Sequence, residues 1–511
     1  MKRGLAVLMA MAMTFSMVGC ASKNTTNSAP STEKASATEA KGDASGGKVY
    51  NMVMEIVNYG YDDKDIKLVE DEINKISEPK IGVHVTFLTV PIANMATKLQ
   101  LMVAGNEQMD LVQTGLLNTP NNLAAQGLLT PMTKYLSDDL KKMAGDLLKA
   151  TTLKGEVYAY PGNVYPGAAV SFIYDKDLAD QYKIKVPDKI TSAKDLTAIF
   201  DQVKASGMSQ YPITVGDGVN TQWNLGANYD DLGDSSAVSY GVVMGDSTDN
   251  KIVDWYESDT YKQECELKKE WNEKGYSLPD SISNGYTVSD SMSQGTIFSF
   301  MTTIGTGSSV AYWGAQTGKH LAAVPISDIK ITPSGTVNLS WGISSTCKNP
   351  QKVCDFLNLL YTNTEMANLL SYGMEGKHYT VQKDSKIIKY PDGIDAKSVG
   401  YGSFIGPFGD ATKIYYREPL TDDFVNSIPN YGPTKAKLSK YMGYTFDTSK
   451  VTTELSAVSA VITKYAPSLS CGVVDVDSTL KDFKADLKQA GIDKVIAENQ
   501  SQLDNWLKTN K

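Results

Sequence analysis

Three histidines, His84, His320 and His378, are the first residues to test for chemistry in this 511-residue chain. His84 falls in a strand-like run and His378 in "EGKHY", and neither has a neighbour at metal-ligand spacing. No Gly-x-Ser-x-Gly elbow is present to carry a nucleophilic serine. "GTGSSV" (305–310) opens like a dinucleotide fingerprint, but Val310 stands where the third glycine belongs and no P-loop lysine follows. No run matches an EF-hand. The sequence therefore points to no metal, no cofactor and no catalytic residue. One hydrolytic chemistry stays open. A glycosidase needs only two carboxylates at the right separation, and the 58 acidic residues do not exclude such a pair.

The five cysteines offer chemistry of another kind. Cys347 and Cys354 flank a helix start and can either pair in an exported protein or stay as buried thiols, as Cys265 and Cys471 can. Their spacing is not a zinc spacing. Cys20 stands apart, at the seam between an oily run and a polar one. Lys2 and Arg3 precede the apolar stretch Leu5 to Phe15, which ends in small residues before Cys20. Charged start, short apolar centre and small-residue end make a secretory signal, too short for a spanning helix. "Met17-Val18-Gly19-Cys20" resembles the bacterial lipobox, with Met17 where leucine is commoner. That resemblance implies cleavage after residue 19 and a diacylglycerol on the Cys20 thiol, whose two chains suffice for stable anchoring. Residues 21–48 contain no aromatic residue and no Val, Ile, Leu or Met. A run of that composition cannot bury enough surface to order itself, and it reads as a tether over 20–48.

Net charge is −9, which argues against nucleic acid, whose binding is driven by basic surfaces. Only Arg3 and Arg417 are arginines; every other basic residue is lysine. Bidentate clamps on carboxylate or phosphate are therefore scarce, which favours a neutral ligand.

The elements that must position a site begin at Val49. "VYNMVMEIV" reads as a strand, followed by a helix with Ile66, Val69, Ile73 and Ile76 on one face. "GVHVTFLTV", "MATKLQLMVAGN" and "MDLVQTG" continue as strand, helix and strand. That order predicts right-handed parallel crossovers in a doubly wound sheet, with ligands beyond the carboxyl ends of the strands. The ends are "NYGY" (58–61) and "QTG" (113–115). Further on, Asp175 caps a helix, and Leu196, Ile199, Phe200 and Val203 line another. "TVNLSWGIS" alternates, placing Val337, Leu339, Trp341 and Ile343 on one face of a strand. Asn349 and Pro350 start a helix whose stripe is Val353, Phe356, Leu357 and Leu360, and the last hundred residues read as mostly helical.

Two long stretches carry a family resemblance. "GEVYAYPGNVYPGAAVSFIYDKDLADQYKI" is similar to the crossing segment of the extracellular solute-binding proteins of ABC importers, family 1, with Asp175 where asparagine is usual. "WGISSTCKNPQKVCDFLNLLYTNTEMANLLSYGMEGKHY" resembles that family's return segment. The resemblance extends to a branch with a long C-terminal extension, common in low-GC Gram-positive bacteria. It implies an α/β, two-lobed fold of the periplasmic-binding-protein type (class II), which closes over ligand like a hinge. The lobes implied are 49–164 with 344–400, and 165–343 with 401–511 and its helices. It also implies a monomer on the outer face of the cell membrane, partnered by permease subunits.

A sugar site pairs flat aromatics with amides and hydroxyls in a cleft. The chain holds 28 Tyr and 6 Trp, several of them in loops. The expected ligand-binding residues are Asn58, Tyr59, Gln113, Thr114, Asn163, Tyr165, Trp223, Asn224 and Trp313. Trp223 leads, because "GDGVNTQWNLGANYDD" surrounds one indole with turn residues, amides and carboxylates. Each aromatic position also reads as ordinary packing or surface. Trp341 shares an apolar face and reads as core; Trp255 and Trp271 read as lying in helical or surface-like contexts; Trp506 reads as a helix stripe with Leu503 and Leu507. The functions left open are an importer's oligosaccharide catcher, the same fold taking a peptide or other small solute, and a surface glycosidase or purely structural lipoprotein.

Overall fold

Four consecutive residues of the first strand, Met54 to Val57, are buried, as a strand covered on both faces requires. The computed structural model describes residues 49–58, 64–116, 118–214, 229–233, 241–244, 248–279, 287–402 and 408–509. Cys20, the leader and tether (1–48), Tyr59, Tyr61, Trp223 and Asn224 lie outside the described residues. Strand β1 (Tyr50–Asn58) leads into helix α1 (Ile66–Ile81), strand β2 (Val83–Pro91), helix α2 (Met95–Ala104) and strand β3 (Leu111–Thr114). β1 pairs in parallel with β2 along its whole length, Tyr50 opposite Val83 through Asn58 opposite Pro91. It pairs in parallel with β3 on the other side. The parallel strand–helix–strand pairing read from sequence is thus realised, with α1 burying Val69 and Ile73 against the sheet.

The sheet is completed by the antiparallel return strand Ser340–Ser344, flanked by Leu129–Thr130 and Ala159–Tyr160. This strand is shorter than its alternation suggests. Thr332 caps a helical turn, Pro333–Val337, accepting the Gly335 N–H at 3.1 Å, and Leu339 has φ +56°. A Thr-Pro pair at cap and first position starts a helix before the apolar alternation can extend a strand. Helix Pro350–Thr362 then runs as read, capped by Asn349, burying Val353, Phe356, Leu357 and Leu360.

A second, mixed sheet is ordered Lys437–Leu438, Lys330–Ile331, Ala168–Asp175, Ile297–Gly305 and Tyr211–Ile213, with Leu321–Pro325 also on Ala168–Asp175. Asp175 caps Lys176–Tyr182 through a 3.0 Å bond from the Leu178 N–H. Helix Ala193–Ala205 buries its four-residue stripe beside Phe172, Trp271 and Tyr276. Helices Thr452–Ser470, Val476–Ala490 and Ile492–Thr509 enclose a further core with Trp255, Tyr256, Tyr261 and Cys265.

Two tryptophans are helical, Trp255 in the short turn Trp255–Glu257 and Trp271 in the helix Asp259–Glu273, but neither is at the surface. Trp255 is fully buried and Trp271 is 1% exposed. Trp255 packs on Tyr229 at 4.6 Å, and Trp271 meets Phe200 at 5.0 Å while its indole N–H donates to Thr197 at 3.1 Å. Both belong to seams between segments distant in sequence, where local polarity is a poor guide to burial. Trp341 is fully buried, and Trp506 packs half-buried on Tyr444 beside the buried Leu503. All four described cysteines are free thiols.

The described residues from 49 onward form one compact unit. The strand pairing puts Ser340–Ser344 in the first sheet, and Tyr401, Phe408, Tyr416, Val425 and Ile428 pack in the first core. We therefore propose lobes that divide near 165, near 340 and near 437, rather than at 344 and 401.

Candidate ligand-binding site

The carboxyl ends of β1 and β3 bring Asn58, Gln113 and Thr114 to one edge of the first sheet. Gln113 and Thr114 are 3% and 1% exposed, so they form a floor rather than a surface. The Thr114 hydroxyl donates to the Ser340 carbonyl at 3.2 Å, fixing the edge to the return strand. Glu55, not singled out by the sequence, lies beneath them. One carboxylate oxygen accepts the Gln113 backbone N–H at 3.0 Å, and burial pushes the acid up to about 7. The signal that finds it is an acid within an otherwise apolar strand, "VMEIV".

Gly115 follows, with φ +87°, and its N–H donates to the Asn118 carbonyl at 2.8 Å. A Cβ there would lie 1.8 Å from the Val337 carbonyl oxygen. Gly115→Ala is expected to cost about 2–4 kcal/mol, from left-handed strain plus backbone displacement, read by thermal or denaturant unfolding. A loss under about 1 kcal/mol would mean that the turn yields freely.

The crossing loop supplies the second group. The Asn163 side-chain amide donates to the Thr306 hydroxyl at 2.6 Å, and its oxygen accepts the Tyr165 N–H at 2.8 Å. Thr306 in turn donates to the Tyr165 carbonyl at 3.1 Å. Asn163 and Tyr165 are thus brought together, and Asn163 ties the loop to the end of Ile297–Gly305. The Tyr165 phenol is raised first by burial and then by the Asp410 carboxylate, with the bonded Thr412 hydroxyl and Lys413 opposing. Its ring packs against Gly432, so Tyr165 faces segment 410–432. Gly167 donates to the Tyr431 carbonyl at 2.8 Å, and a Cβ there would lie 2.5 Å from that oxygen.

From this junction a groove of about 720 Å³ runs along helix Val310–Thr317. Val310, Ala311 and Gly314 form one wall; Pro419, Phe424 and Tyr431 stand opposite. Trp313 is half-buried on the other side of that helix, its ring meeting Phe300 at 5.3 Å. Its indole nitrogen is buried without a hydrogen-bond partner among the described residues. The ring this helix leaves exposed is Tyr312, at 42%, which the sequence reading missed. A larger cavity, about 930 Å³, lies between Lys149–Gly155 and the C-terminal segments at Leu438–Thr445 and Trp506; no sequence-named site residue lines it.

Among the described residues no cluster of three or more His, Cys, Asp and Glu is arranged to hold a metal, and no helix is long and apolar enough to cross a membrane. His84 pairs with Glu78 at 2.5 Å, His320 with Asp177 at 2.9 Å and His378 with Asp65 at 3.0 Å. Buried amides and hydroxyls at the strand ends, and a separate groove with Phe424 and Tyr431 in its wall, suit capture of a polar, uncharged solute.

Comparison with known proteins agrees with that chemistry. The family profile described as bacterial extracellular solute-binding protein matches residues 26–367, and a domain of unknown function (DUF3502) matches 440–508. The chain is 25% identical over 446 residues to a carbohydrate ABC transporter substrate-binding protein of Streptococcus pneumoniae, covering 86% of this chain and 87% of the relative. Its fold is similar to that of the N-glycan transport solute binding protein of S. pneumoniae, with a TM-score of 0.76 and 23% identity over 90% of this chain and 100% of the other. It also resembles a solute-binding protein of Bifidobacterium longum infantis described as binding HMO, with a TM-score of 0.60, 17% identity, and 90% and 99% coverage.

Proposed function

This chain belongs to the bacterial extracellular solute-binding proteins, and from that premise we propose that it captures an oligosaccharide for an ABC importer. The observation that carries the reading is the likeness, along 86% of the chain, to a carbohydrate transporter's substrate-binding protein. The site supports it. Gln113 and Thr114 put a buried amide and hydroxyl at the strand ends, Asn163 holds the crossing loop in place, and the groove offers apolar and aromatic walls. Arg417, the one arginine beyond Arg3, lies over the Tyr390 ring at 3.9 Å and near Tyr372 at 5.6 Å. A guanidinium engaged by aromatic faces is a poor clamp for a ligand carboxylate, which supports a neutral solute.

In this reading the lobes close over the sugar, and the closed form is delivered to the permease. The ligand drives closure only by its greater affinity for the closed state. The protein binds without catalysis and works as a lipid-anchored monomer on the outer face of the membrane. A thermal-shift screen of residues 49–511 against oligosaccharides and peptides tests it. The true ligand at 100 times its Kd should add about 2.7 kcal/mol of stability. A peptide that shifts the melt where no sugar does would replace the carbohydrate reading, and release of reducing sugar would favour the glycosidase. Cys20→Ser is expected to move the protein from the membrane fraction to the medium. Retention on the membrane by that variant would remove the lipid anchor.

A further inference from the structure

Beneath the ends of β1 and β3 lies a small cavity of about 20 Å³, lined by Glu55, Met95, Leu99, Gln113, Thr114, Asn118 and Leu123. That volume admits one water-sized group and excludes a sugar ring. Glu55 is 1% exposed, and its two carboxylate oxygens differ in kind. One accepts the Gln113 backbone N–H at 3.0 Å, which fixes the carboxyl plane. The other is buried with no hydrogen-bond partner among the described residues.

Among the described residues no cation offsets this acid. The cavity wall is uncharged apart from Glu55 itself, Leu88 of β2 stands opposite Glu55 in the sheet, and α2 contributes only Met95 and Leu99. A buried carboxylate with an empty acceptor and no counter-charge is costly for stability alone, since an apolar side chain would suit a strand covered on both faces better. Its position, at the edge where such sheets receive ligand, supplies the reason to keep it.

We infer that this cavity is a socket for one hydrogen-bond donor of the ligand, a hydroxyl or amide N–H, and that the Glu55 carboxylate accepts it. The inference rests on the solute-binding reading and adds a specificity element to it. A solute lacking a donor at that position leaves the carboxylate desolvated and unpaired, which a donor-bearing solute does not.

The test uses the sugar that most raises the melting temperature in the screen, together with its monodeoxy derivatives, on wild type and Glu55→Gln. Because the Gln113 N–H holds one oxygen, the amide of the variant must turn its NH2 into the socket, where it meets the ligand's donor. Affinity should fall roughly 10- to 100-fold, the scale of a hydrogen bond to a charged group. One monodeoxy sugar should lose as much on wild type and lose little more on the variant, since both remove the same contact. Wild-type affinity should rise between about pH 6 and 8 as the acid ionises, and the Glu55→Gln variant, still folded by its melt, should stay flat. A sugar that binds both proteins equally, with the same pH profile, would overturn the inference and leave the carbohydrate reading standing. If no sugar binds at all, both fall.

Discussion

Trp341→Ala is expected to lower the stability of the folded body by about 3–5 kcal/mol, the range for removing a buried large aromatic side chain. The indole is fully buried in the return strand, opposite Gln113 on one side and Tyr160 on the other, with its ring 5.8 Å from Phe408. Its side chain also bonds to Tyr361, whose hydroxyl donates to the Gly162 carbonyl at 2.5 Å. Gly162 immediately precedes Asn163, so the cavity left by the indole opens directly under the crossing loop. The substitution should therefore weaken ligand binding as well as lower the denaturant midpoint. Tyr361→Phe, which keeps the ring and removes the hydroxyl, should cost about 1 kcal/mol and isolate the loop's share. A Trp341→Ala protein within about 1 kcal/mol of wild type would show that the two strands beside it, not the indole, hold the return strand.

The second large effect is on the pH dependence of stability, without ligand. Burial raises the Glu55 acid from 4.5 to about 7. A raised folded-state value means that the folded protein holds the proton more tightly than the unfolded chain. The resulting stability is fully present below about pH 4.5 and is lost as pH rises through about 7. The loss amounts to about 3 kcal/mol at most, the linkage equivalent of that shift. Glu55→Gln removes the titration. It should match wild type near pH 4.5 and exceed it by up to about 3 kcal/mol at about pH 8, in parallel denaturant titrations. A difference that stays constant across that range would mean that Glu55 does not keep its proton in the folded state. A stabilising variant that also weakens binding is the pattern expected where function retains a group at the expense of the fold.

Much of the molecule was legible because its signals are local. The period of Val69 and Ile73 on α1, the Asn349–Pro350 start and the Asp175 cap depend on residues within a few positions, and each element formed as read. The parallel order of β1, β2 and β3 follows equally, because strand–helix–strand units close in one hand. The family resemblance rested on two such local segments in the right order, and the profile match across 26–367 agrees with it.

The sequence by itself determined the elements, their order and the chemistry that is missing: no nucleophile elbow, no metal spacing, few guanidinium groups. Only the tertiary structure decided which polar residues share an edge. Gln113 and Glu55 are 58 positions apart, Asn163 and Thr306 are 143 apart, and Trp341 meets both Gln113 and Tyr160 through pairing that no local pattern encodes. The same holds for Trp255 and Trp271, whose helical or surface-like surroundings in the sequence carry no sign of their aromatic partners elsewhere in the chain. Local sequence sets dihedral preference and amphipathic period; burial and partnership are properties of the packed whole, because they depend on which distant surfaces exclude water together.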